Sequence, residues 1–182
     1  MKKTYLALLR GINVSGHKMI RMDELKRVLG EWGLTGIRTY IQSGNLVFDS
    51  DNNDPIDLAA GIAGKIFERF GFTVPVIIRT MEELENICRN NPLFDENQMN
   101  ADKMHVTFLS EKPDRAKENS LKENIFLPDE FVVKGKEVYL YCPNGYGRTK
   151  LTNQFFESKL KVTATTRNWR TVGELLRICI EQ

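Results

Sequence analysis

The chain predicts an α+β fold built of two ferredoxin-like βαββαβ subdomains with antiparallel sheets, and three observations carry that expectation. Apolar residues alternate with period two in short segments and recur at helical spacing in longer ones. Clusters of glycine, proline and asparagine separate those segments. The order strand, helix, strand, turn, strand, helix, strand then occurs twice along the 182 residues.

The first strand is TYLALLR, a short apolar run that ends at Arg10-Gly11. MDELKRVLGEWG reads as a helix, with Leu25, Val28, Leu29 and Trp32 on one stripe and Gly33 closing it. IRTYIQ alternates, Ser43-Gly44-Asn45 is a turn and LVF returns, a hairpin pattern. Asp54-Pro55 opens a second helix through Ile56, Leu58, Ile62, Ile66, Phe67 and Phe70, which Gly71 ends. TVPVIIR completes the unit. TMEELENICRN is a linker helix, and the second round runs KMHVTFL, a helix from Pro113 to Asn124, FVV, a turn at Lys134-Gly135-Lys136, EVYLYC, a helix from Leu151 to Leu160, and VTAT. TVGELLRICIE closes the chain as a helix. The expected boundaries are residues 1–80 for the first subdomain, 81–100 for the linker helix and loop, and 101–182 for the second subdomain with the C-terminal helix.

Topology then locates loops. With right-handed crossovers the sheet order is 4-1-3-2, so the loop after strand 1 and the hairpin between strands 2 and 3 leave the same end. In the first half these are residues 10–18 and 42–45; in the second half the loop 144–150 shares an end with the segment 165–170 that leaves the last strand.

Composition excludes several classes. The chain is 41% apolar and 27% charged, as an ordinary globular protein is, and its length suffices to bury roughly 70% of the unfolded surface. Cys88, Cys142 and Cys179 are widely spaced and form no CxxC pair, which argues against a disulfide framework or a zinc knuckle and for a reducing cytoplasm. The apolar run after Lys2-Lys3 reaches only from Tyr5 to Leu9, shorter than the roughly 7–15 residues of a secretory core, and no stretch nears the roughly 20 of a membrane span. No membrane partner is expected. A net charge of +2 does not mark a generic nucleic-acid binder, but the charges are segregated. Residues 1–21 hold five Lys/Arg and no acid, and residues 146–170 hold six against Glu157 alone.

The stretch NGYGRTKLT invites comparison with phosphate loops, yet it lacks the GxxxxGK[ST] spacing, and position 150 is Lys where a GxGxxG fingerprint needs Gly. What it does offer is a loop before a helix start with Arg148 and Lys150 beside it, a setting that favours an anion; the plain alternative is a turn with Thr149 or Thr152 capping the helix. The loop Arg10 to Lys18 carries more Gly, Asn, Ser, His and Lys than a connection requires, and its His17 is a candidate acid or base. His105, within a strand, reads as structural. Arg38, Tyr40 and Gln42 share one strand face, which either packs, is solvated or stacks a base, though the RNA-recognition signature is absent. Trp169 reads as an anchor for the last helix or as a stacking platform. Spacings for a metal site or a GxSxG nucleophile are absent, and no cofactor is indicated.

The segments LALLRGINVSGHKMIRMDEL, RTYIQSGNLVFDS, GYGRTKLTN and TATTRNWRTV resemble those of the bacterial family catalogued as domain of unknown function 1697. The resemblance implies a pair of ferredoxin-like subdomains and no particular activity. Its motifs fall on Arg10, Gly11, Asn13, Gly16, Ser43, Gly44, Asn45, on Gly147, Arg148, Lys150, Leu151, Thr152, Asn153, and on Thr166, Arg167, Asn168 and Trp169.

The leading expectation is a cytoplasmic protein that binds a phosphorylated small molecule or a nucleic-acid backbone through Arg10, Lys18, Arg148, Lys150 and Arg167, with Asn13, Ser43, Asn45 and Asn153 as neutral hydrogen-bonding groups. Two alternatives stand beside it. One is an enzyme acting on a phosphate-bearing substrate with His17 as acid or base; the other is a structural or interaction module in which the Arg side chains brace loop carbonyls.

Overall fold

The computed structural model describes residues 2–94 and 100–181. In chain order the elements are β1 (Lys3–Leu9), α1 (Met22–Glu31), β2 (Thr35–Tyr40), β3 (Asn45–Ser50), α2 (Pro55–Phe70), β4 (Val76–Thr80), α3 (Met81–Arg89), β5 (Met104–Leu109), α4 (Arg115–Lys122), β6 (Glu130–Lys134), β7 (Glu137–Tyr141), α5 (Asn153–Leu160), β8 (Ala164–Asn168) and α6 (Trp169–Ile180). The protein is thus mixed α+β, with two four-stranded sheets ordered β2-β3-β1-β4 and β6-β7-β5-β8 and every adjacent pair antiparallel. It divides into two compact units, residues 1–85 with 174–182, and residues 86–173.

In the first unit one face of β1, through Tyr5, Ala7 and Leu9, meets Leu25 and Leu29 of α1 and Leu58, Ile62 and Ile66 of α2. Each of the buried Leu and Ile side chains contributes roughly 1.5–3 kcal/mol by leaving water. The start of α2 follows from Asp54, whose carboxylate accepts from the amides of Ile56 and Asp57, and from Pro55 in the first turn; its end follows from Gly71 at φ +79°. In the second unit Leu109, Val138, Leu140 and Ala164 of the sheet pack with Leu121 of α4 and Phe156 and Leu160 of α5.

The sequence places the whole C-terminal helix with the second subdomain, whereas residues 174–182 belong to the first unit. One tie is Arg38 of β2, whose guanidinium donates to the carbonyls of Ile178 and Glu181 (3.1 Å for the latter) and so satisfies acceptors that a helix end leaves open. Arg38 is therefore spent on the fold rather than presented on an open strand face.

The strands β4 and β8 share several features. Arg79 on β4 lies opposite Leu6 of β1, and Arg167 on β8 lies opposite Val106 of β5; both arginines are buried, at 1% and 8% exposure. The next residue in each case caps the following helix. Thr80 Oγ1 accepts from the Glu83 amide (3.1 Å) while Glu83 Oε2 accepts from the Thr80 amide (2.9 Å), and Asn168 Oδ1 accepts from the Arg170 amide (2.9 Å). The buried positions Leu84, Ile87 and Asn91 recur with the same spacing as Val172, Leu175 and Cys179.

Candidate anion-binding site

In the first unit the loop 10–18 does lie against the 41–44 hairpin turn. The Leu9 amide donates to Gly44 O (2.8 Å) and the Arg10 amide to Pro75 O (3.0 Å). Asn13 staples this corner: its side-chain amide donates to Ile20 O (3.0 Å) and Gln42 O (2.8 Å), and its Oδ1 accepts from the Ile20 amide (2.8 Å). Lys18 Nζ donates to Thr73 O (2.7 Å). Asn45 is fully buried, donating to Tyr40 O and to Ser43 Oγ (3.0 Å each). Arg10 is half-buried, and His17 is exposed in the turn that returns to Val14. The backbone here is forced into the left-handed region at Asn13, Ser15, Lys18 and Ile41, with φ between +47° and +54°. At Gly44 that conformation is compounded by packing, because a Cβ would stand 2.7 Å from Leu9 Cβ and 2.9 Å from Ile12 Cδ1.

The second unit uses its loops differently. The 144–150 segment is anchored from within: Tyr146 stacks on His105 of β5 with ring centres 4.8 Å apart, and Thr149 Oγ1 donates to Asp129 Oδ2 (2.6 Å) while accepting from the Leu151 amide (3.0 Å). Thr152, one of the two threonines considered as a cap, accepts from the Phe155 amide (3.2 Å) and starts α5. Burial lowers the His105 imidazole below its usual value and raises the Cys142 thiol to about 11, so both stay neutral at pH 7.

Behind the loop runs a chain of polar side chains. Thr166 Oγ1 donates to Asn153 Oδ1 (2.7 Å), and since a hydroxyl has one proton, Thr107 Oγ1 is the donor in its 2.7 Å bond to Thr166. The chain pins the first residue of α5 to the middle of the sheet. Arg167 donates to Thr165 Oγ1 (2.8 Å) and Thr166 O (3.0 Å), and burial lowers its guanidinium to about 10. Arg170 is held by Asp102 in a two-point ion pair, with one bond at 2.9 Å and the other at 2.5 Å. Trp169 packs on Phe94 with centres 5.9 Å apart.

Arg148 and Lys150 are both exposed and, among the described residues, neither has an ion-pair or side-chain hydrogen-bond partner. With Asn144 they line one wall of a cavity of about 470 Å³. The other wall is the segment 125–129, which sequence reasoning passed over because it has neither periodicity nor a motif. Its turn is closed by the Asp129 amide donating to Phe126 O (3.0 Å), with a cis peptide at Leu127-Pro128 in the middle. Phe126 points inward, edge-on to Phe155 (5.1 Å, 80°) and tilted against Phe131 (6.3 Å), while Ile125 and Leu127 on either side point outward. The signal that could have found the segment is Ile125-Phe126-Leu127-Pro128 itself, three large apolar residues before a proline outside any element.

The charges of this lining are unequal. Two cations meet one carboxylate, Asp129, so the cavity carries net positive charge, and the Arg fork can take two oxygens of one phosphate. Among the described residues no three His, Cys, Asp or Glu side chains are grouped to hold a metal ion, and no helix is long and apolar enough to cross a membrane.

No curated protein sequence matches the chain. A solved structure, described as that of a conserved bacterial protein from Streptococcus pneumoniae, matches with a TM-score of 0.78 over 98% of this chain and 99% of that chain at 21% identity, a likeness of fold. A family model matches residues 1–139, a stretch that ends before the loop of Arg148 and Lys150. By that match the chain belongs to the family described as Protein of unknown function (DUF1697).

Proposed function

We propose that this protein is a cytoplasmic binder of a phosphorylated or otherwise anionic ligand, and that the cavity of the second unit is where the anion sits. The observation that carries the reading is the pair Arg148 and Lys150, exposed and without carboxylate partners among the described residues, on one wall of a concavity with Asn144. Several other exposed arginines are neutralised, Arg69 by Glu24, Arg170 by Asp102 and Arg177 by Glu174 and Glu181, whereas Arg21 and Arg115, exposed and likewise without an ion pair among the described residues, do not share a cavity lining with a second unpaired cation and Asn144. Asn153 supports the loop from behind, and Arg167 adds positive potential from within the sheet. Isothermal titration of inorganic phosphate, pyrophosphate and a nucleotide panel tests the reading. Binding should weaken about tenfold or more in the variant Arg148→Ala with Lys150→Ala. Affinity unchanged in that variant removes these residues from the site.

For the first unit a second reading is favoured by specific observations: Asn13 and Lys18 satisfy loop carbonyls, and Asn45 is buried with its amide engaged. There the polar loop residues serve the fold. We further propose that each unit is ferredoxin-like and that the pair descends from an internal duplication. The repeat then includes the helix after the fourth strand, α3 in one copy and α6 in the other. Support comes from Arg79 and Arg167 at equivalent ladder positions, each followed by a capping residue and the same buried spacing.

A further inference from the structure

Resting on the anion reading above, we propose that the cavity of the second unit is built for a nucleoside 5′-phosphate, a small ligand with a flat apolar end, a hydroxylated middle and a phosphate. Groups of all three kinds line it. Ile125 and Leu127 are 81% and 78% exposed and, with Pro128, form an apolar ledge. The ledge is not loose chain, because Phe126 between them is held in the Phe131, Phe155 and Phe156 cluster. Arg148 and Lys150 belong to the same lining. Asp129 follows Pro128 directly and is tied to the cation loop by the 2.6 Å bond from Thr149, the residue between Arg148 and Lys150.

Asp129 decides the class of ligand. Its Oδ2 is used by Thr149, while Oδ1 has no hydrogen-bond partner among the described residues and is an open acceptor in the same cavity lining as the two cations. A carboxylate there weakens the site for a bare phosphate, since like charges repel. It strengthens the site for a ligand that brings donors close to its phosphate, and ribose hydroxyls do so. An aliphatic ledge then takes the face of a base by burying it, without selecting which base. The cavity volume of about 470 Å³ lies within the range for small-molecule sites, and two cations suffice for one phosphate. A nucleic-acid strand would need a row of such contacts, and the net charge of +2 supplies little general attraction.

The test uses the full chain and four probes in calorimetric titrations: adenosine 5′-monophosphate, ribose 5-phosphate, inorganic phosphate and a short single-stranded oligonucleotide. The nucleotide should bind about tenfold tighter than ribose 5-phosphate, and ribose 5-phosphate tighter than phosphate. Leu127→Ser, a change at an exposed position that leaves the core intact, should remove most of the first difference and none of the second. Asp129→Asn keeps an oxygen for Thr149 but drops the charge, so it should strengthen phosphate binding while weakening the preference for the sugar. If the nucleotide binds no better than ribose 5-phosphate, or if its advantage survives Leu127→Ser, the proposed ligand class is wrong although the anion site stands. If the oligonucleotide binds and the mononucleotide does not, the class is likewise overturned. If no probe binds, or if binding survives Arg148→Ala with Lys150→Ala, the anion reading itself falls.

Discussion

The two loop-bearing ends of this protein are written in the same residue types and used in opposite ways. In the first unit, residues 10–18 and 41–45 turn their amides and their lysine inward: Asn13 spans Ile20 and Gln42, Lys18 reaches Thr73, and Asn45 is sealed beneath the hairpin. In the second unit, internal contacts are made by Tyr146, Thr149, Thr152 and Asn153, which leaves Arg148, Lys150 and Asn144 facing a cavity. The difference teaches that a Gly, Asn and Arg-rich loop is not a site by composition. It becomes one when other residues satisfy the backbone and release the charged side chains.

The sharpest way to break the comparison is at the glycines. Gly44→Ala should cost about 3 kcal/mol, because the new Cβ meets both a left-handed φ of +83° and atoms within 3 Å. Gly145→Ala in the second unit, at φ +92° and ψ 145° in a conformation close to one reserved for glycine but with nothing within 4 Å, should cost less, about 2 kcal/mol, from backbone strain alone. Denaturant unfolding of the two variants measures the gap, and equal costs would contradict the claim that only the first corner is tightly packed. Next in size is Asn13→Ala, which strands the carbonyls of Ile20 and Gln42 and the Ile20 amide and should cost about 2 kcal/mol with no effect on anion affinity. A loss of binding there would bring the first unit's loop back as part of a site. Smallest in stability is Arg148→Ala with Lys150→Ala, expected to change unfolding free energy by less than about 0.5 kcal/mol. A larger loss would mean that these side chains also hold the fold.

Much of the fold was legible because it rests on local rules. The short apolar runs TYLALLR and EVYLYC mark strands buried through their middles, the stripe Leu58, Ile62, Ile66 marks the buried face of α2, and Asp54 with Pro55 and Gly71 bracket that helix. VTAT is offset from the strand it marks, since β8 begins only at its third residue, Ala164, and runs on through Arg167 and Asn168. A buried arginine does not look like a strand residue, and its backbone is committed by pairing with β5 rather than by its own preference. The last helix likewise starts at Trp169, two residues before its apolar pattern, because Asn168 caps it. For the site, Arg148 and Lys150 were visible as a pair beside a helix start. The opposite wall at 125–129 was not, and neither was the engagement of Arg38 with the end of α6.

By itself, then, the amino-acid order determined the strands, the helices, their sheet order and the loops that share an end, since period, capping and crossover handedness act over a few residues at a time. Only the tertiary structure decided which polar groups of those loops are consumed and which remain open. A side chain's hydrogen-bond partner lies wherever the fold brings an unsatisfied carbonyl or carboxylate, as Thr73 does for Lys18 across 55 positions and Asp129 does for Thr149 across 20.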